Sequence, residues 1–202
     1  MIEIKDYYEI DGCDIVSNAK VYDLESSIKA SKFPMTLTPE NCTNEITKRT
    51  TSLGGSKKGE GHDQFLTGVV VNFNLTFSKQ AWNELTRYRF IFYVSSMSTI
   101  HRLTKMNLDE QCNDFVTSEV IDLLNIYIDD YNENPTIEKY LTVIYNAPTG
   151  LNLTARLTTN YRSLKTVVSQ RESHKLPEWR EFCEWIHTLP YFDELTQGKS
   201  YE

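Results

Sequence analysis

The 202-residue sequence has few of the features that mark small cross-linked proteins, zinc modules or membrane proteins. Its four cysteines form no Cys-x-x-Cys unit, which argues against a zinc knuckle. No stretch comes close to about 18 consecutive apolar residues, so we expect no membrane span. The N-terminus (MIEIKDYYEIDG) is charged and has no apolar core segment, so we expect no secretory signal. These features together predict a soluble, cytoplasmic protein with reduced thiols.

Several common catalytic patterns are missing as well. The glycine-rich stretch at 54–61 (GGSKKGEG) has neither the lysine spacing nor the strand context of a phosphate-binding Walker loop. There is no Gly-x-Ser-x-Gly motif of the kind that presents a nucleophilic serine. The four histidines are scattered along the chain, and we therefore predict no metal site.

The charge balance argues against a broad nucleic-acid-binding surface. The chain has 21 basic and 28 acidic residues, a net charge of −7, whereas proteins that coat nucleic acid need net positive charge to release counterions. We therefore expect neither DNA nor RNA as a partner. With 40% hydrophobic residues, the chain can form a real core, so extensive disorder is excluded.

Positive charge is nevertheless concentrated in two segments, residues 79–105 and 156–171, and the loop region 47–58 adds four more basic residues. The first has five basic residues and one acid, and the second has four basic residues and no acid. Arginine suits an anion site because its planar guanidinium can hold a phosphate through two hydrogen bonds. The segments therefore indicate a focused anion pocket. The alternative is that these charges lie on solvated helix faces, and charge counts alone favour the two interpretations about equally.

The hydrophobic periodicity predicts a mixture of helices and strands without a regular βαβ repeat. Residues 91–96 fit a strand or a helix equally well. Predicted strands cover 1–9, 69–77 and 151–159. Predicted helices cover 17–33 with Ser17 as N-cap, 39–53, 79–90 with Ser78 as N-cap, 117–133, 136–145, 161–171 and 177–189.

Four sequence blocks, spread over nearly the whole chain, carry a resemblance to a known family. They are 15–21 (IVSNAKV), 62–66 (HDQFL) with the strand after it, 87–98 (RYRFIFYVSSMS), and Asn160-x-Arg162 with Arg171 and Trp179-Arg180. In this order they resemble the flavin-dependent thymidylate synthases. Those enzymes have a helix near the N-terminus that begins with the sequence NAAR, and then a segment that begins with histidine. An Arg-His-Arg triplet follows, with a serine after seven further residues, and a pair of helices ends the chain. The fourth block is the most specific, because it fixes several residue types at defined spacing.

The third block aligns with the family motif in two ways. If Arg87 and Arg89 are the anchors, Met97 takes the place of the motif serine. If Ser98 is the anchor, the triplet becomes Tyr88-Arg89-Phe90. We prefer the second alignment, since it matches the serine-rich turn. In the second block, residues 66–68 (LTG) stand where the family has a Glu-His pair.

The resemblance implies a single α+β domain over residues 1–202, with a central, mostly antiparallel sheet flanked by helices. It implies that FAD is the cofactor and that a dUMP-like pyrimidine nucleotide is the substrate. NADPH and methylenetetrahydrofolate would be co-substrates of an active enzyme, and the family's homotetramer implies a similar assembly. In such an enzyme the cofactors carry the hydride and one-carbon chemistry, while the protein supplies placement and charge.

The resemblance also implies site residues. Arg171 would hold the nucleotide beside the flavin and, with Ser98, contribute to catalysis, although no nucleophilic role is required of Ser98. Trp179 and Trp185 are predicted to be core residues. The implied cofactor-binding residues are His62, Arg89, Asn160 and Arg162. The implied nucleotide-binding residues are Ser96, Ser98, Arg102 and Arg171.

Three functions are compatible with the sequence. The first is an enzyme of flavin-dependent thymidylate synthase type. The second is a relative that binds or sequesters a nucleotide without turnover, and the incomplete Arg-His-Arg motif favours it. The third is a structural protein that keeps only the oligomeric fold. The degenerate motif on a small scaffold would suit a phage-like gene.

Overall fold

The computed structural model describes residues 4–57 and 59–197. The strands in this part are β1 (Tyr7–Ile10), β2 (Val16–Tyr22), β3 (Val70–Ser78), β4 (Phe92–Ser96) and β5 (Asn152–Asn160). The helices are α1 (Leu24–Ala30), α2 (Lys48–Gly54), α3 (Lys79–Leu85), α4 (Thr99–Arg102), α5 (Leu108–Gln111), α6 (Ser118–Glu133), α7 (Ile137–Tyr145), α8 (Tyr161–Arg171), α9 (Pro177–His187) and α10 (Phe192–Thr196).

The strands form one five-stranded antiparallel sheet in the order β1-β2-β3-β5-β4, flanked by helices. β1 pairs with β2 in a register that joins Tyr7 to Tyr22 and Ile10 to Ala19. The predicted α+β class with a mostly antiparallel sheet is confirmed. The ambiguous segment at 91–96 is a strand, and it lies at one edge of the sheet.

The helix predicted over 17–33 is wrong in its first half, where β2 lies. The reason is Asn18, whose φ of 51° is left-handed, a conformation that asparagine tolerates better than most residues. This residue shifts the inward-outward alternation, so that Val16 and Ala19 are both buried although they are three residues apart. A spacing of three resembles helical periodicity, which explains the error.

Other predicted helices differ from the structure mainly in length. The helix expected over 39–53 is reduced to α2, preceded by a short 3-10 turn at Pro39–Asn41. Ser78 caps α3 as predicted, because its side chain accepts a hydrogen bond from the backbone N–H of Ala81 at 3.2 Å. That helix ends at Leu85, five residues earlier than expected.

The chain divides into two compact units. The first comprises the described residues of 1–74, 88–93 and 156–202. In its core, the ring of Phe73 lies 5.5 Å from that of Phe182 and 5.1 Å from that of Trp185. Trp185 also donates a hydrogen bond from Nε1 to the backbone oxygen of Asp11 at 3.1 Å. The prediction that Trp185 is a core residue is therefore confirmed.

The second unit comprises residues 75–87 and 94–155 and has a core of its own. The apolar face of α6 buries Ile121, Leu124 and Ile128, and Val143 of α7 packs in the same cluster. Thr136 caps α7 by accepting from the backbone N–H of Lys139. Both helices occur where the periodicity predicts them.

Neither unit contains a helix, among residues 4–57 and 59–197, whose length and hydropathy would suit a bilayer crossing. The same residues contain no group of three or more His, Cys, Asp or Glu side chains arranged to hold a metal ion.

Candidate functional site

The candidate site in the first unit is centred on α8, which follows β5 directly. Asn160, the last residue of β5, caps the helix, because its Oδ1 accepts hydrogen bonds from the backbone N–H of Ser163 at 3.0 Å and from its hydroxyl at 3.1 Å. Arg162 lies in the first turn of α8 and Arg171 at its last residue. The helix therefore presents two guanidinium groups at fixed positions.

Arg162 is oriented by a buried carboxylate. One oxygen of Asp63 accepts from Nε of Arg162 at 2.8 Å, and the other accepts from Nζ of Lys165 at 3.2 Å. Gln64 accepts from Nη1 of Arg162 at 2.8 Å. Arg162 and Lys165 are three residues apart and share a helix face. One carboxylate thus faces two cations, and the cluster keeps a positive charge.

Lys165 also fastens the start of the glycine-rich stretch to α8. Its Nζ donates to the backbone oxygens of Gly54 and Ser56, both at 2.7 Å. Gly54 packs tightly against α10, since a Cβ atom there would lie 1.9 Å from the backbone oxygen of Leu195. The chain is therefore held on both sides just before residues 57–61.

Arg171 is held by aromatic side chains. Its Nε donates to the hydroxyl oxygen of Tyr88 at 2.9 Å, and its guanidinium carbon lies 4.8 Å from the ring centroid of Trp179 and 5.8 Å from that of Tyr88. Such contacts attract a cation to the ring face. Trp179 is fully buried, as predicted for a core residue, and in addition it stacks on Arg171.

The other two predicted residues of the first unit are exposed. His62 precedes the buried Asp63. Arg89 lies in a turn closed by a hydrogen bond from the backbone N–H of Ile91 to the backbone oxygen of Tyr88 at 3.2 Å. The side chains of both residues are accessible to solvent.

Ser96, Ser98 and Arg102 belong to the second unit. Ser96 ends β4, and Ser98 caps α4 by accepting from the backbone N–H of His101 at 3.3 Å. Arg102 is exposed at the end of α4. The residue between the two serines, Met97, is tied to β5 through its backbone N–H, which donates to the backbone oxygen of Thr154 at 2.9 Å. The serine-rich segment is thus a strand end followed by a capped helix.

Sequence analysis missed Asp63, Tyr88 and Lys165 as site residues. Asp63 and Tyr88 lie within the blocks that carry the family resemblance, and Lys165 lies in the second basic segment, so their neighbourhoods were recognised. Their roles depend on contacts between residues that are 82 to 111 positions apart. No local pattern reports contacts of that kind.

The cysteines offer no activated nucleophile on α9. Cys183 is buried, and burial, reinforced by the charge of Glu172, raises the pKa of its thiol to about 12. The thiolate is the reactive form of cysteine, so a raised pKa makes this thiol inert.

Known proteins match this chain through their structures. Neither a protein-family model nor a curated protein matches it. Two solved structures of the flavin-dependent thymidylate synthase ThyX from Helicobacter pylori, each complexed with FAD and dUMP, do match. Their sequences are 20% and 18% identical to that of this chain, and each has a TM-score of 0.66. Each match covers 88% of this chain, and the matches cover 95% and 94% of the two ThyX chains.

The likeness extends over most of both chains, so it concerns the whole fold. The fold predicted from the four sequence blocks, that of a flavin-dependent thymidylate synthase, is confirmed. Fold alone does not determine chemistry, because function depends on the residues of the site.

Proposed function

We propose that this chain is a flavin-dependent thymidylate synthase-like protein that binds FAD and a dUMP-like pyrimidine deoxynucleotide for reductive one-carbon transfer to C5 of the pyrimidine. The observation that carries the proposal is the fold likeness to two ThyX structures that contain FAD and dUMP, over 88% of this chain. Three of the predicted residues belong to the most specific sequence block: Asn160 caps α8, Arg162 lies in its first turn and Arg171 is its last residue.

The residues on α8 fit an anionic nucleotide. Arg171 has its plane held by Trp179 and its Nε held by Tyr88, and Arg162 is oriented by Asp63. Preorganised guanidinium groups can bind phosphate and stabilise negative charge on a pyrimidine ring. Reduced flavin, when bound, supplies the electrons for the transfer, and the residues of this chain bind, orient and neutralise charge.

We assign the remaining predicted residues to the same function. His62, Arg89, Asn160 and Arg162 would contact the flavin, and Ser96, Ser98, Arg102 and Arg171 the nucleotide. Arg171 and Ser98 would contribute to catalysis. NADPH and methylenetetrahydrofolate would be co-substrates, and the active form would be a homotetramer. The single-domain organisation, the cytoplasmic location and the phage-like origin stay predictions from the sequence.

The direct test is titration of the purified protein with FAD, followed by dUMP. We expect flavin uptake, a change in the flavin spectrum on adding dUMP, and dUMP-dependent oxidation of NADPH with formation of dTMP when methylenetetrahydrofolate is present. A protein that takes up no FAD is not a flavoenzyme of this type. Tight dUMP binding without NADPH oxidation would select the alternative function, a nucleotide-binding relative without turnover.

A further inference from the structure

We propose that Tyr88 is a positioning residue, which orients the guanidinium of Arg171 for the pyrimidine nucleotide. The proposal rests on the proposed function, because it concerns how the predicted nucleotide-binding arginine is presented. Tyr88 itself is not assigned a contact with the substrate.

The contacts fix Arg171 in two independent ways. The hydrogen bond from Nε to the Tyr88 hydroxyl, 2.9 Å long, sets the rotation of the guanidinium within its plane. The rings of Trp179 and Tyr88, at 4.8 and 5.8 Å from the guanidinium carbon, set the tilt of that plane. Together these contacts restrict the directions in which Nη1 and Nη2 can point.

The Tyr88 hydroxyl is itself held in place. It donates to Oε1 of Gln170 at 3.0 Å while it accepts from Arg171. The turn from Tyr88 to Ile91 is joined to β5, since the hydroxyl of Thr159 donates to the backbone oxygen of Phe90 at 2.8 Å. Tyr88 therefore has a fixed backbone and a fixed hydroxyl.

This role explains a departure from the family motif. In either alignment of the third block, Tyr88 stands where the family has a charged or titratable residue of Arg-His-Arg. A tyrosine there supplies a neutral acceptor at the end of a long aromatic side chain, which suits a cationic donor. Tyr88, in the third block, thus contacts α8, which belongs to the fourth block.

Orienting a guanidinium before the ligand arrives reduces the entropy lost on binding. If Tyr88 acts in this way, removing its hydroxyl weakens nucleotide binding and leaves flavin binding intact. The effect is expected to be about tenfold in the Kd for dUMP, because one hydrogen bond to a charged group favours the oriented guanidinium by about that factor and the Kd rises as the oriented fraction falls.

The experiment compares FAD-loaded wild-type protein with FAD-loaded Tyr88→Phe, which keeps the ring and lacks only the hydroxyl. We expect a Kd for dUMP about ten times higher, an unchanged Kd for FAD, and a melting temperature within about 3 °C of wild type. The comparison variant is Gln170→Ala, which removes the other hydrogen bond of the hydroxyl but keeps the one to Arg171, and it should raise the Kd for dUMP less than Tyr88→Phe does.

A double-mutant comparison separates positioning from a structural role. If Tyr88 acts through Arg171, Tyr88→Phe has less than about a twofold further effect in an Arg171→Ala background. A structural role would instead lower FAD occupancy and melting temperature and leave the Kd for dUMP of the loaded protein unchanged. Equal dUMP binding by wild type and Tyr88→Phe overturns this inference alone, whereas a wild type that binds neither FAD nor dUMP overturns the proposed function and this inference with it.

Discussion

The buried carboxylate of Asp63 accepts a hydrogen bond from Nε of Arg162 at 2.8 Å, across 99 residues of sequence. Its second oxygen accepts from Lys165. Breaking a buried ion pair is costly, because the remaining charges lose their partner in a poorly solvated place. Asp63 therefore orients two cationic side chains of α8, and its loss should destabilise the first unit.

We expect Asp63→Asn to lower the free energy of unfolding by about 2 kcal/mol, less than for a fully buried pair, because the Arg162 side chain is 34% exposed. Urea denaturation measures the change. The matched control is Asp130→Asn, which removes the exposed ion pair with Lys139 and should cost less than about 1 kcal/mol. Equal effects of the two variants would contradict the structural role of Asp63.

The link between Lys165 and the glycine-rich stretch predicts a local change in protection. Lys165→Gln removes the ammonium that binds the backbone oxygens of Gly54 and Ser56, so residues after Ser56 open more often. Limited trypsin digestion should then cleave after the exposed Lys57 several times faster than in wild type. The control Lys139→Gln changes a lysine of the second unit and should leave the rate of cleavage after Lys57 unchanged. If Lys165→Gln does not accelerate that cleavage, the Lys165 hydrogen bonds do not restrain the glycine-rich stretch.

The sequence predicts the fold well where periodicity is regular. β3, β5, α6, α7 and α8 occur within about two residues of their expected bounds, a common difference between assignments. The main error is β2, where one left-handed residue, Asn18, gives a strand the spacing of a helix. A single backbone conformation of this kind leaves no trace in hydrophobic periodicity.

The site is less predictable than the fold. Arg162 and Arg171 are recognisable from the spacing of the last block, but the groups that orient them, Asp63 and Tyr88, come from distant parts of the chain. Which cation a carboxylate meets depends on tertiary packing, and one sequence contains no direct record of it.

The packing of Gly54 against α10 predicts a steric effect. Gly54→Ala places a Cβ within 1.9 Å of the backbone oxygen of Leu195, so the helix must shift. We expect a loss of about 2 kcal/mol in the free energy of unfolding, since overpacking outweighs the better helix propensity of alanine. Ser52→Ala, at an exposed position of the same helix, should leave the free energy of unfolding unchanged or raise it slightly. If Gly54→Ala does not lower the free energy of unfolding, α10 can shift at little energetic cost.

The pKa of Cys183 predicts a pH dependence of stability. The folded-state pKa of about 12 is above the ordinary thiol value, so the unfolded state loses this proton first as the pH rises. The stabilisation is complete below about pH 9 and is lost between there and the folded-state pKa. Between pH 8 and pH 10, wild type should lose roughly 1 to 2 kcal/mol relative to Cys183→Ala.

Urea denaturation of both proteins at the two pH values measures this difference. Other groups whose pKa burial raises, such as Tyr161, are common to both proteins, so their contributions cancel in the comparison. A difference between wild type and variant that stays constant with pH would show that the thiol ionises normally in the folded protein.

The first unit is assembled from the two ends of the chain, and this affects how the protein is made. Phe73 packs against Trp185, which also binds the backbone of Asp11. During synthesis, the N-terminal residues of this unit can complete its core only after the residues that follow 156 have emerged from the ribosome, whereas the second unit can fold earlier. We therefore expect the yield of folded protein to depend on the speed of translation near residues 156–197 and on chaperones that shield β1 and β2 until then.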